Sequence, residues 1–288
     1  MSLSAQLKKH DQSLYDPLLL SNLIPVSFRH AQPTLGLLLM STPSLTTTVV
    51  VLPTYNEIAN FRSIAMEILS LSPSIRLLVV DDASPDGTGE EAERLAASSQ
   101  HVTVIRRRGK LGLGSAYRQA FQMILKHTDA DLICQMDADF SHRPADLMKM
   151  IEAAWSGKGD VVVGSRYIPG ACIRNWSRRR IWLSRFGNLY ARLITGMPQS
   201  DVTGGLKCWR RKTLESINLE AVTTDGYGFQ IEMSWNAWKL GYSIHEVPIT
   251  FAERTLGVSK MDWQIVREAM LLPWKLRMRH LEAALHKS

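Results

Sequence analysis

Short apolar runs followed by polar turns recur along the middle of the chain. Four of them, Thr48–Leu52, Arg76–Val80, Leu132–Met136 and Asp160–Gly164, consist mostly of apolar residues. Runs that are apolar on both faces are typical of parallel strands covered by helices on each side. Turn residues, and then stretches that can form helices, follow the first two. The pattern predicts an α/β fold in which helices flank a mostly parallel central sheet.

Three of the polar turns begin directly where a predicted strand ends. Pro53–Glu57 follows the first strand, Asp81 and Asp82 follow the second, and Asp137 and Asp139 follow the third. In open α/β sheets, ligands bind in the crevice beyond the carboxyl ends of the strands. We therefore expect the three turns to meet in one pocket.

Asp137 and Asp139 are candidate ligands for a divalent cation. Two carboxylates that share a face at the exit of a strand supply the hard oxygen atoms that Mg²⁺ and Mn²⁺ prefer, and phosphate oxygens usually complete the shell. Asp139 is expected to contact the metal directly, with Asp137 farther away and closer to a ribose. A solvated acidic turn is the alternative.

Composition narrows the class of protein. The chain has 288 residues, 45% of them hydrophobic, which fits one large α/β domain with appendages. A net charge of +7 suits nucleic acid, an anionic membrane face or a phosphorylated substrate. Three widely spaced cysteines favour a reducing compartment. No run approaches the roughly 18–20 apolar residues of a membrane span, so we expect a cytosolic protein unless its surface holds it to a membrane.

Seven short motifs occur in one order along the chain. They are Leu52-Pro-Thr-Tyr-Asn-Glu57, Val80-Asp-Asp-Ala-Ser-Pro-Asp-Gly-Thr88, Gly112-Leu-Gly114, Asp137-Ala-Asp-Phe-Ser-His142, Gly164-Ser-Arg-Tyr167, Asp201-Val-Thr-Gly-Gly205 and Arg254-Thr-Leu-Gly-Val-Ser-Lys260. In this order they resemble the inverting, nucleotide-sugar-dependent glycosyltransferases of family 2, and within them the polyprenol- or dolichol-phosphate mannosyltransferases. The resemblance covers about Thr47 to Lys260 and implies a GT-A type nucleotide-diphospho-sugar transferase fold.

The resemblance also implies which residues bind the nucleotide-sugar donor and its metal. They are Pro53, Tyr55, Glu57, Val80, Asp82, Asp137, Ala138, Asp139, Arg166, Arg254 and Lys260. Members of the family often have Gln two positions after the second Asp as a further metal ligand, but Ser141 stands here, so that ligand is in doubt. From the residues alone, Asn56 and Glu57 would also suit the start of a helix.

Two other turn motifs have structural interpretations. Asp86–Thr88 fits a turn and helix cap better than a ligand site. Gly112 and Gly114 lack the pattern of a nucleotide P-loop, so we expect them to let a loop enter the next helix, Ser115–Ile124, in close packing.

Aromatic residues and six arginines interleave between Arg174 and Arg192. An amphipathic helix could separate the two sets, and the combination suits an anionic membrane interface or, less well, single-stranded nucleic acid. The resemblance implies that Arg180 and Ser184 hold the phosphate of the acceptor. Met261–His280 is a second amphipathic candidate, with a core-packing helix as its alternative.

We therefore predict inverting transfer of mannose from GDP-mannose to a polyprenyl monophosphate, on the cytoplasmic face of a membrane to which the protein is peripherally bound. Asp139, Arg166 and Arg180 are the predicted catalytic residues, with Mg²⁺ or Mn²⁺ as cofactor. The alternatives are UDP-glucose or another nucleotide-sugar as donor, and a non-catalytic nucleotide- or lipid-binding protein on the same fold; a nucleic-acid partner ranks last. Whether a separate membrane subunit takes part is left open.

Further residues could line the pocket for the sugar. The candidates are Asp201, Thr203, Gly204, Gly205, Gln230 and Glu232. Glu232 could equally anchor a buried arginine.

Three segments are expected. Residues 1–46 form a poorly ordered extension, 47–260 the GT-A catalytic domain and 261–288 an amphipathic helical segment. Met40 precedes the first strand by eight residues, which suggests it as an alternative start of translation.

Overall fold

The computed structural model describes residues 47–253 and 270–279. Its strands are β1 Thr48–Thr54, β2 Ile75–Asp81, β3 Val102–Arg106, β4 Leu132–Gln135, β5 Val161–Ser165, β6 Cys172–Arg174, β7 Lys207–Arg210, β8 Ile244–Pro248 and β9 Thr250–Ala252. Its helices are α1 Ile58–Ser70, α2 Thr88–Ser98, α3 Leu113–His127, α4 Pro144–Trp155, α5 Arg178–Thr195, α6 Arg211–Ser216, the 3₁₀ helix Leu219–Ala221, α7 Gly226–Lys239 and α8 at 270–279.

Seven strands form the central sheet in the order β3-β2-β1-β4-β7-β5-β8. Every neighbouring pair is parallel except those that involve β7, which runs antiparallel to both β4 and β5. All four strands that the sequence predicts are present, as β1, β2, β4 and β5, and the mostly parallel sheet is confirmed. Because β7 is reversed, its first residue lies at the edge where β4 and β5 end.

Apolar side chains cover both faces of the sheet. In β1, Val50 and Leu52 belong to the core cluster beneath α1, α2 and α4, whereas Val49 and Val51 belong to the cluster beneath α3 and α7. Successive residues of a strand point to opposite faces, so a strand buried on both sides must be apolar at every position. This explains the continuous apolar runs and leaves the strand ends as the place for polar chemistry.

Outside the main sheet, β6 pairs with β9 in a small parallel sheet. Helix α8 packs against α5 and α7 through a third apolar cluster, to which Ala191, Trp235 and Leu276 belong. None of the helices in the described ranges combines the length and hydropathy that a membrane span needs.

Several expectations lie outside the described residues. They concern residues 1–46 with Met40, the stretch with Arg254 and Lys260, and the parts of 261–288 that flank α8. The proposed segment boundaries therefore stay predictions.

Candidate active site

The turns after β1 and β2 are joined by hydrogen bonds and form one wall. The backbone N–H of Asn56 donates to the Ser84 hydroxyl at 3.1 Å, and that of Glu57 donates to the Thr88 hydroxyl at 2.9 Å. Glu57 is also the N-cap residue of α1. The structure thus contains the helix start that the residues suggested, and a donor contact of Glu57 stays a prediction.

Asp82 holds the loop that leads into α3. Its carboxylate accepts from Arg107 at 2.5 Å and from the backbone N–H groups of Leu111 and Gly112 at 3.2 and 2.9 Å. Burial raises the pKa of Asp82, against the charge and hydrogen bonds of Arg107. In this structure both carboxylate oxygens of Asp82 accept hydrogen bonds from Arg107 and the loop after it. The contact of Asp82 with a nucleotide base stays a prediction.

The two glycines of this loop pack against Asp225. The backbone N–H of Gly114 donates to the Asp225 carboxylate, which also accepts from Gly226 N–H at the start of α7. A Cβ atom at Gly112 would collide with the Asp225 carboxylate, and one at Gly114 would collide with the Thr224 carbonyl. Close packing, as expected, accounts for both glycines.

The residues that are predicted to bind the nucleotide-sugar differ in how far their side chains are buried. The side chains of Val80 and Ala138 lie in the two core clusters, which leaves their backbone atoms as the groups that could contact a ligand. Tyr55 is partly exposed, and the amine of Lys110 lies 4.1 Å from the centre of its ring. Pro53 is a partly buried residue of β1.

Asp137 and Asp139 follow β4, as predicted, and both carboxylates affect the pKa of two buried side chains, His142 and Tyr117. The Asp137 carboxylate lies 3.8 Å from Nδ1 of His142, and Asp139 accepts from the backbone N–H of Ser141 at 2.9 Å. Burial lowers the pKa of His142, although both carboxylates oppose the shift. Burial and the same carboxylates raise the pKa of Tyr117 well above its usual value.

The carboxylates of Asp137 and Asp139 fit a small hard cation whose remaining coordination positions are filled by a bound ligand. Within residues 47–253 and 270–279, no group of three or more His, Cys, Asp and Glu side chains could hold a metal by itself. A pair of carboxylates matches Mg²⁺ or Mn²⁺, which keep positions for phosphate oxygens. Gly205 leaves the space beside the pair open, because a Cβ there would lie 3.3 Å from Oδ2 of Asp137.

Backbone conformation marks the same three turns. Asn56, Ala83 and Phe140 have φ values of 60°, 56° and 58°, in the left-handed region that residues with side chains rarely adopt. Each directly follows a predicted donor residue. Strained backbone of this kind persists where the surrounding contacts fix it, often at functional sites.

Arg166 lies at the end of β5 in a buried ion pair with Asp201. Its Nε and Nη2 each donate to the Asp201 carboxylate at 2.7 Å, and Nη2 also donates to Thr203 at 2.8 Å. Burial alone would raise the pKa of Asp201, but the Arg166 charge outweighs it and the pKa is lowered. Asp201 and Thr203 therefore hold Arg166 in this structure, a contact that the sequence did not predict.

Arg180 and Ser184 lie close to Arg166, on α5. The guanidinium carbon of Arg180 is 4.1 Å from the centre of the Trp176 ring, and that of Arg166 is 5.9 Å from the same ring. Arg180 also pairs with Glu253 at 2.5 Å. The Ser184 hydroxyl accepts from Tyr167 at 2.6 Å. The structure thus brings Arg180 and Ser184, which are predicted to bind the acceptor phosphate, close to Arg166, which is predicted to bind the nucleotide-sugar.

Gln230 and Glu232 lie in buried networks on α7. Gln230 accepts from Gln135 at 2.6 Å and from Lys207 at 3.0 Å. Burial lowers the pKa of Lys207 to about 7. Glu232 pairs with Arg279 at 3.2 Å, so it does anchor an arginine, although that arginine is more than half exposed. Sequence reasoning missed Lys207; the one available signal was a lysine directly after the Gly204-Gly205 motif and Leu206.

Helices α5 and α8 share an exposed apolar face, here called the α5–α8 face. Its aromatic members on α5 are Trp182, 73% exposed, and Phe186, 67% exposed. The remaining members are Leu183, Leu189, Leu193, Met270, Leu271, Trp274 and Met278. The hydroxyl of Tyr190 joins the two helices by donating to the Met270 carbonyl at 2.9 Å. Helix α8 therefore both packs on the core and exposes apolar side chains.

Comparison with known proteins identifies related sequences. Residues 49–217 match the model of Glycosyl transferase family 2. The chain is 45% identical over 235 residues to polyprenol monophosphomannose synthase of Mycolicibacterium smegmatis, covering 81% of this chain and 88% of the relative. It is 43% identical over 223 residues to undecaprenyl-phosphate mannosyltransferase of Micrococcus luteus, covering 77% and 90%.

A solved structure has the same fold. Glucosyl-3-phosphoglycerate synthase from Mycobacterium tuberculosis, in complex with Mn²⁺, UDP and phosphoglyceric acid, matches with a TM-score of 0.59 and 21% identity, covering 81% of this chain and 78% of that one. At this identity the likeness concerns the fold alone, and it confirms the predicted GT-A architecture.

Proposed function

Because the chain belongs to glycosyl transferase family 2, we propose that it transfers mannose from GDP-mannose to a polyprenyl monophosphate with inversion at the anomeric carbon. The observation that carries the proposal is the position of Arg180 and Ser184 on α5, next to Arg166 at the end of β5. Cations and a hydroxyl beside a nucleotide-sugar crevice suit an acceptor that is itself a phosphate. The names of the two relatives support the same acceptor class.

The donor would lie in the crevice between the turns after β1, β2 and β4. Tyr55 would contact the base, and Asp137 and Asp139 would face the pyrophosphate. Lewis-acid assistance to the departing nucleoside diphosphate is the chemistry that a bound Mg²⁺ or Mn²⁺ supplies, and these two carboxylates would hold the ion. Arg254 and Lys260 are proposed as further cations for the donor.

The acceptor determines what the protein must do during transfer. A lipid monophosphate is anionic near neutral pH, so attack on the anomeric carbon needs no strong general base. Catalysis then rests on position and charge: Arg180 and Ser184 orient the incoming phosphate, and Arg166 faces the leaving group. Because Arg180 is paired with Glu253 through Nη1 in this structure, that carboxylate competes with the acceptor phosphate for the guanidinium.

The α5–α8 face supports binding at a membrane surface. Trp182 and Phe186 are exposed on a helix that also has Arg178, Arg179 and Arg185. Aromatic and aliphatic side chains next to arginines suit the interface of a bilayer with anionic lipids. We propose that the protein binds the cytoplasmic face peripherally, so that α5 meets the acceptor where its phosphate leaves the bilayer. A separate membrane subunit is not required by this proposal.

A transfer assay tests the proposal. Purified protein is incubated with a short polyprenyl phosphate, Mg²⁺ and radiolabelled GDP-mannose, UDP-glucose or UDP-N-acetylglucosamine, and the label in the organic phase is counted. We expect label from GDP-mannose only. Asp139→Asn should lower the rate at least about a hundredfold because it removes a charge from the metal site. Asp129→Asn, the same change at an exposed position, is the control.

Two outcomes would contradict the proposal. Label from UDP-glucose but not from GDP-mannose would mean that the donor is UDP-glucose. A normal rate for Asp139→Asn with either Mg²⁺ or Mn²⁺ would remove Asp139 from the site.

A further inference from the structure

A closed ring of hydrogen bonds ties α5 to the end of β5. Arg166 donates to the Thr203 hydroxyl at 2.8 Å, and the amide of Asn188 donates to the same hydroxyl at 3.1 Å. Asn188 also donates to the carbonyl of Ser184 at 2.9 Å. The Ser184 hydroxyl accepts from Tyr167 at 2.6 Å. Because Tyr167 follows Arg166 in the chain, the ring is complete.

Besides the ion pair of Arg180 with Glu253, this ring attaches the first half of α5 to the rest of the chain. The buried residues of the helix are Asn188, Ala191 and Thr195, all in its second half, and Ala191 belongs to an apolar cluster. Asn188 is only 2% exposed, and an amide is a costly side chain to bury unless its hydrogen bonds are made. Here its oxygen accepts from the Thr203 N–H at 3.1 Å as well. The buried amide thus fixes α5 at a defined place.

The direction of the bond between Tyr167 and Ser184 also matters. When the serine hydroxyl accepts from the tyrosine, its own proton remains available for an oxygen outside the ring. A hydroxyl that accepts one hydrogen bond becomes a better donor in the next. Burial raises the pKa of Tyr167, which keeps the phenol protonated and able to donate.

We infer that Tyr167 and Asn188 are positioning residues for the acceptor: they set Ser184 and its half of α5 at a fixed place relative to Arg166. The inference rests on the proposed function, because it takes Ser184 as a ligand of the acceptor phosphate. Tyr167 acts through the Ser184 hydroxyl, and Asn188 acts through the Ser184 carbonyl and through Thr203, which also contacts Arg166. Loss of the Tyr167 hydroxyl should weaken use of the acceptor and leave use of the donor unchanged, and loss of the Asn188 amide should weaken use of the acceptor more than use of the donor.

A double-mutant cycle tests the role of Tyr167. KM for polyprenyl phosphate, KM for GDP-mannose and kcat are measured for Tyr167→Phe, for Ser184→Ala and for both changes together. Phenylalanine keeps the aromatic side chain of Tyr167 and removes one hydrogen bond. We therefore expect acceptor KM to rise roughly three- to tenfold while donor KM stays constant. In the Ser184→Ala background the same change should have less than about a 1.5-fold effect, since the partner is already gone.

The chain contains a matched control. Tyr242 and Ser216 form a hydroxyl pair of the same length, 2.6 Å, and Ser216 lies on α6, which holds none of the predicted site residues. Tyr242→Phe removes this bond and the one from the same hydroxyl to the Lys212 carbonyl, and it should leave acceptor KM unchanged. An equal rise in acceptor KM for Tyr242→Phe, or an equal effect of Tyr167→Phe in both serine backgrounds, would overturn the inference for Tyr167.

Asn188 is tested with Asn188→Asp, which keeps the size of the side chain but removes both donated hydrogen bonds. Because Asn188 also contacts Thr203 beside Arg166, we expect acceptor KM to rise more than donor KM, and an equal rise in both would overturn the inference for Asn188. Failure of the proposed function looks different: the wild-type protein would then transfer no mannose to any polyprenyl phosphate. If the wild-type protein is active and the double-mutant cycle shows no coupling between Tyr167 and Ser184, only the positioning role is refuted and the proposed function stands.

Discussion

Helices α3 and α5 both border the site, and they relate to the rest of the molecule in opposite ways. Helix α3 spans 15 residues and buries six of them, with Tyr117 and Phe121 fully inside the core. Helix α5 spans 18 residues, buries three, and exposes most of its large apolar side chains. The proposed donor side is therefore shaped by packing within the chain, whereas the proposed acceptor side keeps apolar surface for contacts outside it.

Charges follow the same division. Asp82 with Arg107 and Asp201 with Arg166 are buried pairs that neutralise each other within the fold. On the acceptor side, Arg180 and Glu253 form a pair that is partly exposed. Loss of one member of a buried pair should therefore appear as instability, whereas loss of Glu253 should appear as a change in binding.

The largest expected effect is on stability. Asp201→Ala leaves Arg166 buried without its counter-charge, which should lower the free energy of unfolding by about 3–5 kcal/mol. Glu253→Ala breaks the exposed pair with Arg180 and should lower it by less than about 1 kcal/mol. Urea unfolding followed by circular dichroism measures both. Similar losses in the two variants would abolish the distinction between the two sides.

Next in size is membrane binding through the α5–α8 face. Replacing Trp182 and Phe186 together by serine should lower partition onto vesicles with one-third phosphatidylglycerol about a hundredfold, since each aromatic contributes up to about 1.5–3 kcal/mol when buried. The free energy of unfolding should change by no more than about 0.5 kcal/mol. Trp155→Ser, at an exposed position on α4, is the control. Unchanged vesicle binding of the double variant would remove the membrane role of this face.

A pH effect of intermediate size comes from Lys207 on the packed side. Its folded-state pKa is lowered to about 7 by burial, whereas the unfolded value is about 10.4. Between these values the unfolded chain binds more protons, so the free energy of unfolding should rise with pH, by on the order of 2 kcal/mol between pH 7 and 9. Lys207→Met should flatten the rise, whereas the arginines of α5 stay charged throughout. An identical pH dependence in the variant would contradict the assignment.

The smallest effect concerns Glu253. Glu253→Gln removes the carboxylate that competes with the acceptor phosphate for Arg180, so acceptor KM should fall about two- to fivefold. Donor KM should stay constant, and initial rates over a range of polyprenyl phosphate measure both. A higher acceptor KM would mean that Glu253 helps the acceptor to bind.

The sequence predicts those strands that are continuous apolar runs. Strands β1, β2, β4 and β5 are apolar on both faces, and short runs of that kind are typical of parallel strands inside a covered sheet. Strand β7 was not predicted, because four residues that begin with lysine and end with arginine show no strand pattern. Helix α7 is buried nearly all round over Gly228–Trp235, so it lacks the polar face that marks a surface helix.

The site divides in the same manner. The carboxylates after β4 and the cations after β5 and on α5 follow from motifs, because those residues are close in sequence to the strands and helix that hold them. The partner of Arg166 lies 35 residues away, and the partner of Asp82 lies 25 residues away, so both pairs depend on tertiary structure. The left-handed conformations of Ala83 and Phe140 had no signal either, because neither residue type favours them.

The reversed direction of β7 has a consequence for the range of donors. In register, Lys207 pairs with Gln135 on one side and Val163 on the other, and Gly164 N–H donates to the Leu206 carbonyl at 2.9 Å. Gly205, which borders Asp137, lies two residues before this ladder, and its carbonyl accepts from the Gln135 side chain at 3.0 Å, so the turn is tied to the sheet at this point. Loops tolerate insertions far better than strands do. We expect that related enzymes with bulkier sugars adapt elsewhere around the crevice and leave this side unaltered.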